Sequence, residues 1–140
     1  MDVLESYGQN KGQLIRNVGI IYMDLNELKK VNDEQGHEAG DRLIIRACEC
    51  LAGVFKGYGL YRIGGDEFLV LCLGIEEKDL REHVEKLRMD MKEHQVTMAV
   101  GMIWKEHGPK DIDLLLNESE RLMYEDKDRY YKEHGLKRRR

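Results

Sequence analysis

The stretch over residues 60–71, which reads LYRIGGDEFLVL, constrains the fold of this chain more than any other. Two short apolar runs, residues 60–63 and 68–71, flank Gly64-Gly65-Asp66-Glu67. Glycines between strand-like runs are typical of a β-hairpin, because tight hairpin turns need a positive φ that glycine adopts without a Cβ clash. The turn carries two adjacent carboxylates, which are costly to hold together unless a cation neutralises them. The stretch therefore predicts a hairpin with a metal site at its tip, and a solvated acidic turn is the alternative that these residues alone leave open.

The composition is that of one highly charged domain. The chain has 140 residues, of which 36% are charged and 41% hydrophobic, and its formal net charge is −4. This balance favours a folded core over disorder and gives no bias toward nucleic acid or an anionic membrane, so we expect no nucleic-acid partner. No apolar run approaches the roughly 20 residues of a membrane span, and the N-terminus lacks a signal-peptide pattern.

The three cysteines, Cys48, Cys50 and Cys72, lack the spacing of a zinc site. We interpret them as reduced packing residues of a cytosolic protein. The predicted location is therefore cytoplasmic, and it leaves open a longer parent protein that is anchored in a membrane.

Hydrophobic periodicity predicts eight elements in the order β-α-α-β-β-α-β-α. They are a buried strand at 18–23, a short helix that ends near Gly36, a helix from Asp41 to about Ala52, the hairpin strands at 60–63 and 68–71, a helix at 76–94, a central strand at 96–104 and a helix at 111–131. A hairpin among helices predicts an α+β fold with a ferredoxin-like, antiparallel-rich sheet flanked by helices. Residues 1–17 are predicted to be a lead-in, a truncated N-terminal segment, and residues 18–140 a single domain with a short basic tail.

A third carboxylate, Asp24, closes the first strand. In this topology that strand lies beside the hairpin, so Asp24 is expected at the same edge of the sheet as Asp66 and Glu67. The backbone amides of residues 26–29, just after Asp24, are expected to be open at the start of a helix. Three carboxylates together with such amides suit magnesium bound to a nucleoside triphosphate. Lys29 and Lys30 add positive charge there, or else they form an ordinary exposed helix face.

Two blocks of sequence resemble a known family. DLNELKKVNDEQGHEAGD at 24–41, followed by RIGGDEF at 62–68, is similar to the GGDEF domain family, the diguanylate cyclases, and the resemblance extends from about Val18 to Tyr131. It implies a palm-type sheet and a nucleotidyltransferase of bacterial signalling that condenses two GTP molecules into cyclic di-GMP and releases two pyrophosphates. It also implies a homodimer, because each domain holds half an active site, and a regulatory or sensor domain in a longer parent protein.

The resemblance implies roles for individual residues. Asp66 and Glu67 would be catalytic, and Mg²⁺ (or Mn²⁺) would bind to Asp24, the carbonyl of Leu25, Asp66 and Glu67. Asn32 and Asp41 would read the edge of guanine, since their side chains offer the donors and acceptors that this base needs. The residues predicted to bind the nucleotide are Asn32, Asp41, Gly64, Gly65, Leu28, Lys29 and Lys127.

The chain also departs from the family pattern. Tyr131 stands where a phosphate-binding arginine is expected, and Arg129 or Lys132 is considered as its substitute. Residues 55–58 read FKGY in place of the product-inhibition motif, which predicts no feedback inhibition through that site. The alternative function is therefore a catalytically degenerate GGDEF domain that acts as a GTP-binding or nucleotide-binding signalling module. A purely structural domain is disfavoured by the intact metal and base residues.

Overall fold

The computed structural model describes residues 16–109 and 111–136. Eight elements follow in the predicted order: β1 (Arg16–Leu25), α1 (Leu28–Gln35), α2 (His37–Val54), β2 (Gly59–Arg62), β3 (Glu67–Leu73), α3 (Glu77–Glu93), β4 (Met98–His107) and α4 (Asp113–Glu133). The predicted α+β fold is confirmed. Most of the predicted lead-in, residues 1–15, and the basic tail, residues 137–140, lie outside the described residues, and the division of the chain at residue 18 stays a prediction.

The four strands form one sheet in the order β2-β3-β1-β4, and each neighbouring pair is antiparallel. The predicted position of the first strand beside the hairpin is confirmed, since Asp24 is paired with Glu67. The strand predicted to be central, β4, is instead an edge strand. The apolar residues of β4 are buried because helices cover both faces of the sheet. From Lys105 onward β4 is exposed, because it extends beyond these helices.

The side chains of β1 alternate between the two faces of the sheet. Ile21 and Met23 join the larger core with α2 and α3, whereas Ile20 and Tyr22 join a second core with α4. Helices cover both faces of this sheet, so both sets of β1 side chains are buried. This is why residues 18–23 form a continuous apolar run. By the same alternation, Asp24 projects toward α4.

Helix α4 crosses the sheet at very short range. A Cβ atom at Gly101 would lie 2.1 Å from the backbone oxygen of Ser119, so only glycine permits this approach. The buried residues of α4 recur every four positions: Leu115, Ser119, Met123, Lys127 and Tyr131. This stripe carries Lys127 and Tyr131 to the edge of the sheet where Asp24 lies.

Helix α2 begins at His37, four residues before the predicted start at Asp41. Gly36, with φ 90°, is the single residue between α1 and α2. The other residues of the polar stretch 34–40, which precedes the predicted start, are helical. The prediction was wrong because the polarity of this stretch reflects solvent exposure and not a loop. The two helices touch closely, and a Cβ atom at Gly40 would lie 1.7 Å from Oδ1 of Asn32.

The hairpin is present, but the predicted reason for its two glycines is wrong. Among the described residues, the glycines with positive φ do not include Gly64 or Gly65. The turn is closed by a hydrogen bond of 2.9 Å from the amide of Ile63 to the carbonyl of Glu67, and the Arg62 guanidinium donates to the carbonyl of Gly65 at 2.7 Å. A Cβ atom at Gly65 would meet nothing within 4 Å, so the glycine leaves open space beside the turn.

Candidate functional site

Three carboxylates converge at the edge of the sheet where β1 ends and β3 begins. Asp24, Asp66 and Glu67 each offer one oxygen such that the three atoms lie within 4.8 Å of one another. The register of β1 and β3 places Asp24 opposite Glu67, and the amide of Leu25 donates to the carbonyl of Asp66 at 2.9 Å. The backbone therefore fixes the hairpin turn against the end of β1.

Asp24 is the most buried member of this cluster, with 5% of its surface exposed. Its Oδ2 atom lies 2.9 Å from Nζ of Lys127, while Oδ1 is buried and has no hydrogen-bond partner within the described part of the chain. Burial raises the pKa of Asp24 to about 6; Lys127 lowers this pKa and the neighbouring Asp66 raises it. An unpartnered buried oxygen amid carboxylates suits a hard divalent cation, so the donor set fits the predicted metal.

Glu67 is oriented by a residue that sequence reasoning missed. The buried hydroxyl of Tyr22 donates to Oε2 of Glu67 at 2.6 Å. Burial, followed by the carboxylates of Glu67 and Glu120, raises the pKa of Tyr22 well above its usual range. The signal was present in the sequence, because Tyr22 is two residues before Asp24 and must therefore face the same side of the strand.

Lys127 lies against two of the predicted metal ligands. Its side chain is 8% exposed, and besides the ion pair with Asp24 it donates to the carbonyl of Leu25 at 3.5 Å. A lysine ammonium has three donors, so these contacts leave it able to bind a further anionic group. Its predicted role in phosphate binding remains a prediction.

A cavity of about 370 Å³ opens beside the cluster. Its size is within the usual range of small-molecule sites, which is roughly 300–1,000 Å³. It is lined by Leu25, Glu27, Leu28, Lys29, Lys30, Asp66, Lys127, Tyr131 and Leu136. The structure thus places five predicted site residues around one cavity: Leu25, Leu28, Lys29, Asp66 and Lys127.

Other predicted residues lie outside that lining. Asn32 is half-buried on α1, where it packs on Gly40, and Asp41 is exposed on α2. Gly64 and Gly65 are exposed on the hairpin turn next to Asp66. The structure places Asn32 and Asp41, the two residues predicted to read guanine, on adjacent helices, without a hydrogen bond between their side chains.

Two of the backbone amides that were predicted to be open are used by the chain itself. The amide of Asn26 donates to the carbonyl of Thr97 at 2.9 Å, and the amide of Glu27 donates to the hydroxyl of Tyr131 at 2.8 Å. The prediction failed because both acceptors come from distant segments. The amides of Leu28 and Lys29 belong to the first turn of α1, where a helix provides no partner of its own.

The structure does not support the predicted substitutes for the missing arginine. Arg129 is exposed and pairs with Asp126 at 3.3 Å, and Lys132 is exposed as well. Tyr131 itself is 8% exposed and lines the cavity. No pattern in the sequence indicated that this tyrosine would contact residue 27.

Glu27 is held from two sides by α4. Besides the contact from its amide to Tyr131, its Oε2 atom accepts a hydrogen bond of 2.5 Å from the hydroxyl of Tyr130. Glu27 has φ 61°, a left-handed conformation that is uncommon for a residue other than glycine. The two tyrosines therefore stabilise a strained residue at the start of α1.

An antiparallel sheet between helices, with clustered carboxylates at one edge and a lysine-bearing cavity beside them, defines a palm-type domain suited to metal-assisted nucleotide chemistry. The chain belongs to the GGDEF domain family of diguanylate cyclases, whose family model matches residues 3–132. The predicted family is confirmed. The domain is accordingly of the diguanylate cyclase type.

Curated relatives agree with this assignment. The chain is 31% identical over 123 residues to the bifunctional diguanylate cyclase/cyclic di-GMP phosphodiesterase MucR of Pseudomonas aeruginosa, with 81% of this chain and 18% of MucR covered. It is 29% identical over 118 residues to the diguanylate cyclase DgcP of Escherichia coli (strain K12), with 77% of this chain and 35% of DgcP covered. The chain thus spans about a third or less of the length of these two relatives.

A solved structure has the same fold. The GGDEF domain of FimX from Pseudomonas aeruginosa superposes with a TM-score of 0.81 at 16% identity, and the match covers 91% of this chain and 85% of that one. In the described part of the chain, none of the helices combines the length and apolar character needed to cross a membrane.

Proposed function

We propose that this domain condenses two molecules of GTP into cyclic di-GMP and two pyrophosphates, as a dimer of half-sites. The observation that carries the proposal is the group of Asp24, Asp66 and Glu67, whose oxygens lie within 4.8 Å of one another beside a cavity that three lysines line. Membership of the diguanylate cyclase family supports the choice of reaction.

The cavity would hold the triphosphate of one GTP. Lys29 and Lys127 would offer donors to phosphate oxygens, together with the amides in the first turn of α1. Asn32 and Asp41 would read the guanine edge, with Leu28 against the base and Gly64 and Gly65 leaving room for the nucleotide. Bound Mg²⁺ or Mn²⁺, held by Asp24, Asp66, Glu67 and the Leu25 carbonyl, would supply Lewis-acid stabilisation of the charge that develops on the phosphates.

The reaction needs two nucleotides that face each other. The 3′-hydroxyl of each GTP attacks the α-phosphorus of the other, a new phosphorus–oxygen bond forms, and the bond to the β-phosphate breaks with release of pyrophosphate. Asp66 would accept the proton of the attacking hydroxyl. Since one chain supplies one half-site, a second copy of the domain is the partner required for turnover.

The relatives indicate the setting of the domain. Because they extend far beyond the matched segment, we infer that this domain works within a longer parent protein whose regulatory or sensor part controls dimerisation. A cytoplasmic location gives access to GTP and is compatible with a membrane anchor elsewhere in the parent. No nucleic acid takes part.

A catalytically degenerate nucleotide-binding module is the second candidate. It is favoured by Tyr131, which brings no positive charge to the cavity, and by the ion pair of Lys127 with Asp24, which already engages the lysine. This module would bind GTP and transmit its presence to the parent protein without forming product.

Turnover under forced dimerisation separates the two candidates. The domain is fused to a dimerising coiled coil and incubated with GTP and Mg²⁺, and cyclic di-GMP is measured by chromatography. We expect product from the parent sequence, none from Asp66→Ala, and normal amounts from Glu85→Ala, which removes an exposed carboxylate on α3. GTP binding without product in the parent sequence would favour the degenerate module.

A further inference from the structure

Tyr131 lies in the cavity at a position set by the periodicity of α4. It follows Lys127 by four residues on the buried stripe of the helix, so the two side chains are neighbours on one face. Both line the same cavity, together with Lys29, Lys30 and Asp66. The Tyr131 side chain therefore faces the volume that the proposed function assigns to the triphosphate.

The hydroxyl of Tyr131 has one proton to donate. A phenol carries a single O–H donor and also accepts, and the hydrogen bond found at this hydroxyl within the described chain is one that it accepts, from the amide of Glu27 at 2.8 Å. That bond fixes the oxygen atom but leaves the proton for another acceptor. A tyrosine hydroxyl with so little exposure usually has a hydrogen-bond partner, and the cavity is the side on which this partner can bind.

The charges around the cavity make a neutral donor useful. Lys127 pairs with Asp24 at 2.9 Å, and Lys30 lies 3.6 Å from Glu27, so two of the three lysines are partly neutralised by carboxylates. A third buried cation would require its own counter-charge whenever the ligand is absent. A tyrosine hydroxyl hydrogen-bonds to a phosphate oxygen without that requirement, because it is uncharged in both states.

We propose that Tyr131 is a phosphate-binding residue that acts as a neutral hydrogen-bond donor: its hydroxyl accepts the Glu27 amide and donates to a phosphate oxygen of the bound nucleotide. The inference rests on the proposed function for the identity of the ligand. It makes the triphosphate contacts of this domain weaker and less sensitive to salt than those of a site with an arginine at the same position.

A purely structural role predicts something different. Tyr130 also ties α4 to Glu27, through a bond from its hydroxyl to the glutamate carboxylate. If Tyr131 acted only by fixing the segment between β1 and α1, removing either hydroxyl would have a similar effect on ligand binding. If Tyr131 donates to phosphate, only Tyr131→Phe changes phosphate affinity strongly.

The test is calorimetric titration of the full chain with inorganic tripolyphosphate, GTP, ATP and guanosine in the presence of Mg²⁺. We expect Tyr131→Phe to weaken tripolyphosphate and GTP by about tenfold, the loss of one hydrogen bond to a charged acceptor, and to leave guanosine unchanged. Tyr130→Phe should change tripolyphosphate affinity much less. Tyr58→Phe is the matched control, since that half-buried tyrosine packs beside His83 and against the larger core, outside the cavity.

Several outcomes would overturn the inference: equal affinities of Tyr131→Phe and the parent sequence, equal losses in Tyr130→Phe and Tyr131→Phe, or an equal loss for guanosine. Should Tyr131→Phe not fold, Tyr131→Arg carries the test. It is expected to bind tripolyphosphate more tightly and with a steeper dependence on salt, and unchanged affinity would mean that residue 131 does not reach the phosphates. If tripolyphosphate binds but GTP binds no more tightly than ATP, the guanine part of the proposed function is refuted. The role of Tyr131 in binding phosphate would still stand.

Discussion

The hydroxyl of Tyr22 donates a hydrogen bond of 2.6 Å to Oε2 of Glu67, and this contact joins the central strand β1 to a carboxylate of the acidic cluster. Tyr22 is 5% exposed, so the donor side of the bond is shielded from water. Carboxylates that bind metals are commonly oriented by such contacts, and the loss of one typically lowers metal affinity about 10–100-fold. Tyr22 is thus a positioning residue for Glu67.

We expect Tyr22→Phe to weaken Mn²⁺ binding by about tenfold, at the lower end of that range, because the backbone pairing of Glu67 with Asp24 still confines Glu67. The measurement is a titration of the chain with Mn²⁺ followed by the electron paramagnetic resonance signal of free Mn²⁺. Thermal unfolding is recorded alongside, and Tyr58→Phe serves as the control. Unchanged Mn²⁺ affinity in a folded variant would show that the hydroxyl does not orient a ligand.

Gly101 is required by the approach of α4 to β4, and its replacement should destabilise the fold. A methyl group there would lie 2.1 Å from the Ser119 backbone oxygen and 2.5 Å from the Met123 backbone nitrogen, so the whole helix must move. We expect Gly101→Ala to lower the free energy of unfolding by about 3 kcal/mol or more in urea denaturation.

Gly53→Ala is the control for that experiment, and its expected effect on the free energy of unfolding is the opposite. Gly53 lies within α2, and a Cβ atom there would meet nothing within 4 Å. Because alanine is the better helix former, Gly53→Ala should raise the free energy of unfolding by about 0.5–1 kcal/mol. Similar effects of the two substitutions would contradict the packing of α4 described above.

Part of this architecture follows from the sequence. The hairpin, the alternation of β1 and the helical stripes are local patterns, and they correctly placed Asp24 beside Glu67 on neighbouring strands. Contacts such as that of Glu27 with Tyr131 join residues 104 positions apart, and local patterns carry no information about them. The same limit explains the error over the open amides, since Tyr131 and Thr97 reach residues 26 and 27 only after the sheet and α4 have assembled.

The thiol of Cys72 should be inert in the native protein. Cys72 is on β3 in the larger core with no exposed surface, and burial raises the pKa of its thiol from 9.0 to about 12. Since the thiolate is the reactive form, Ellman's reagent at pH 8 should leave Cys72 unmodified in the native chain and label it after denaturation. Peptide mapping identifies the labelled cysteines, and rapid native labelling of Cys72 would contradict its burial.

The raised pKa of Cys72 also predicts a loss of stability in alkali. Below pH 9 the thiol is protonated in both states, whereas between pH 9 and about 12 only the unfolded state releases the proton. The contribution of Cys72 to stability is therefore complete below pH 9 and declines as the pH rises toward 12. Urea midpoints measured across this range should fall less steeply in Cys72→Ala than in the parent sequence.

The ion pair of Lys127 with Asp24 links the stability of the fold to metal binding. Both side chains are at least nine-tenths buried, so removing one charge leaves the other without compensation. Lys127→Met should lower the free energy of unfolding by about 3–5 kcal/mol, and Asp24→Asn in the same chain should restore part of it. Because a divalent cation at the acidic cluster would neutralise Asp24, Mn²⁺ should raise the melting temperature of Lys127→Met more than that of the parent sequence, and leave the double variant nearly unaffected. Equal shifts in all three proteins would mean that the metal does not bind at Asp24.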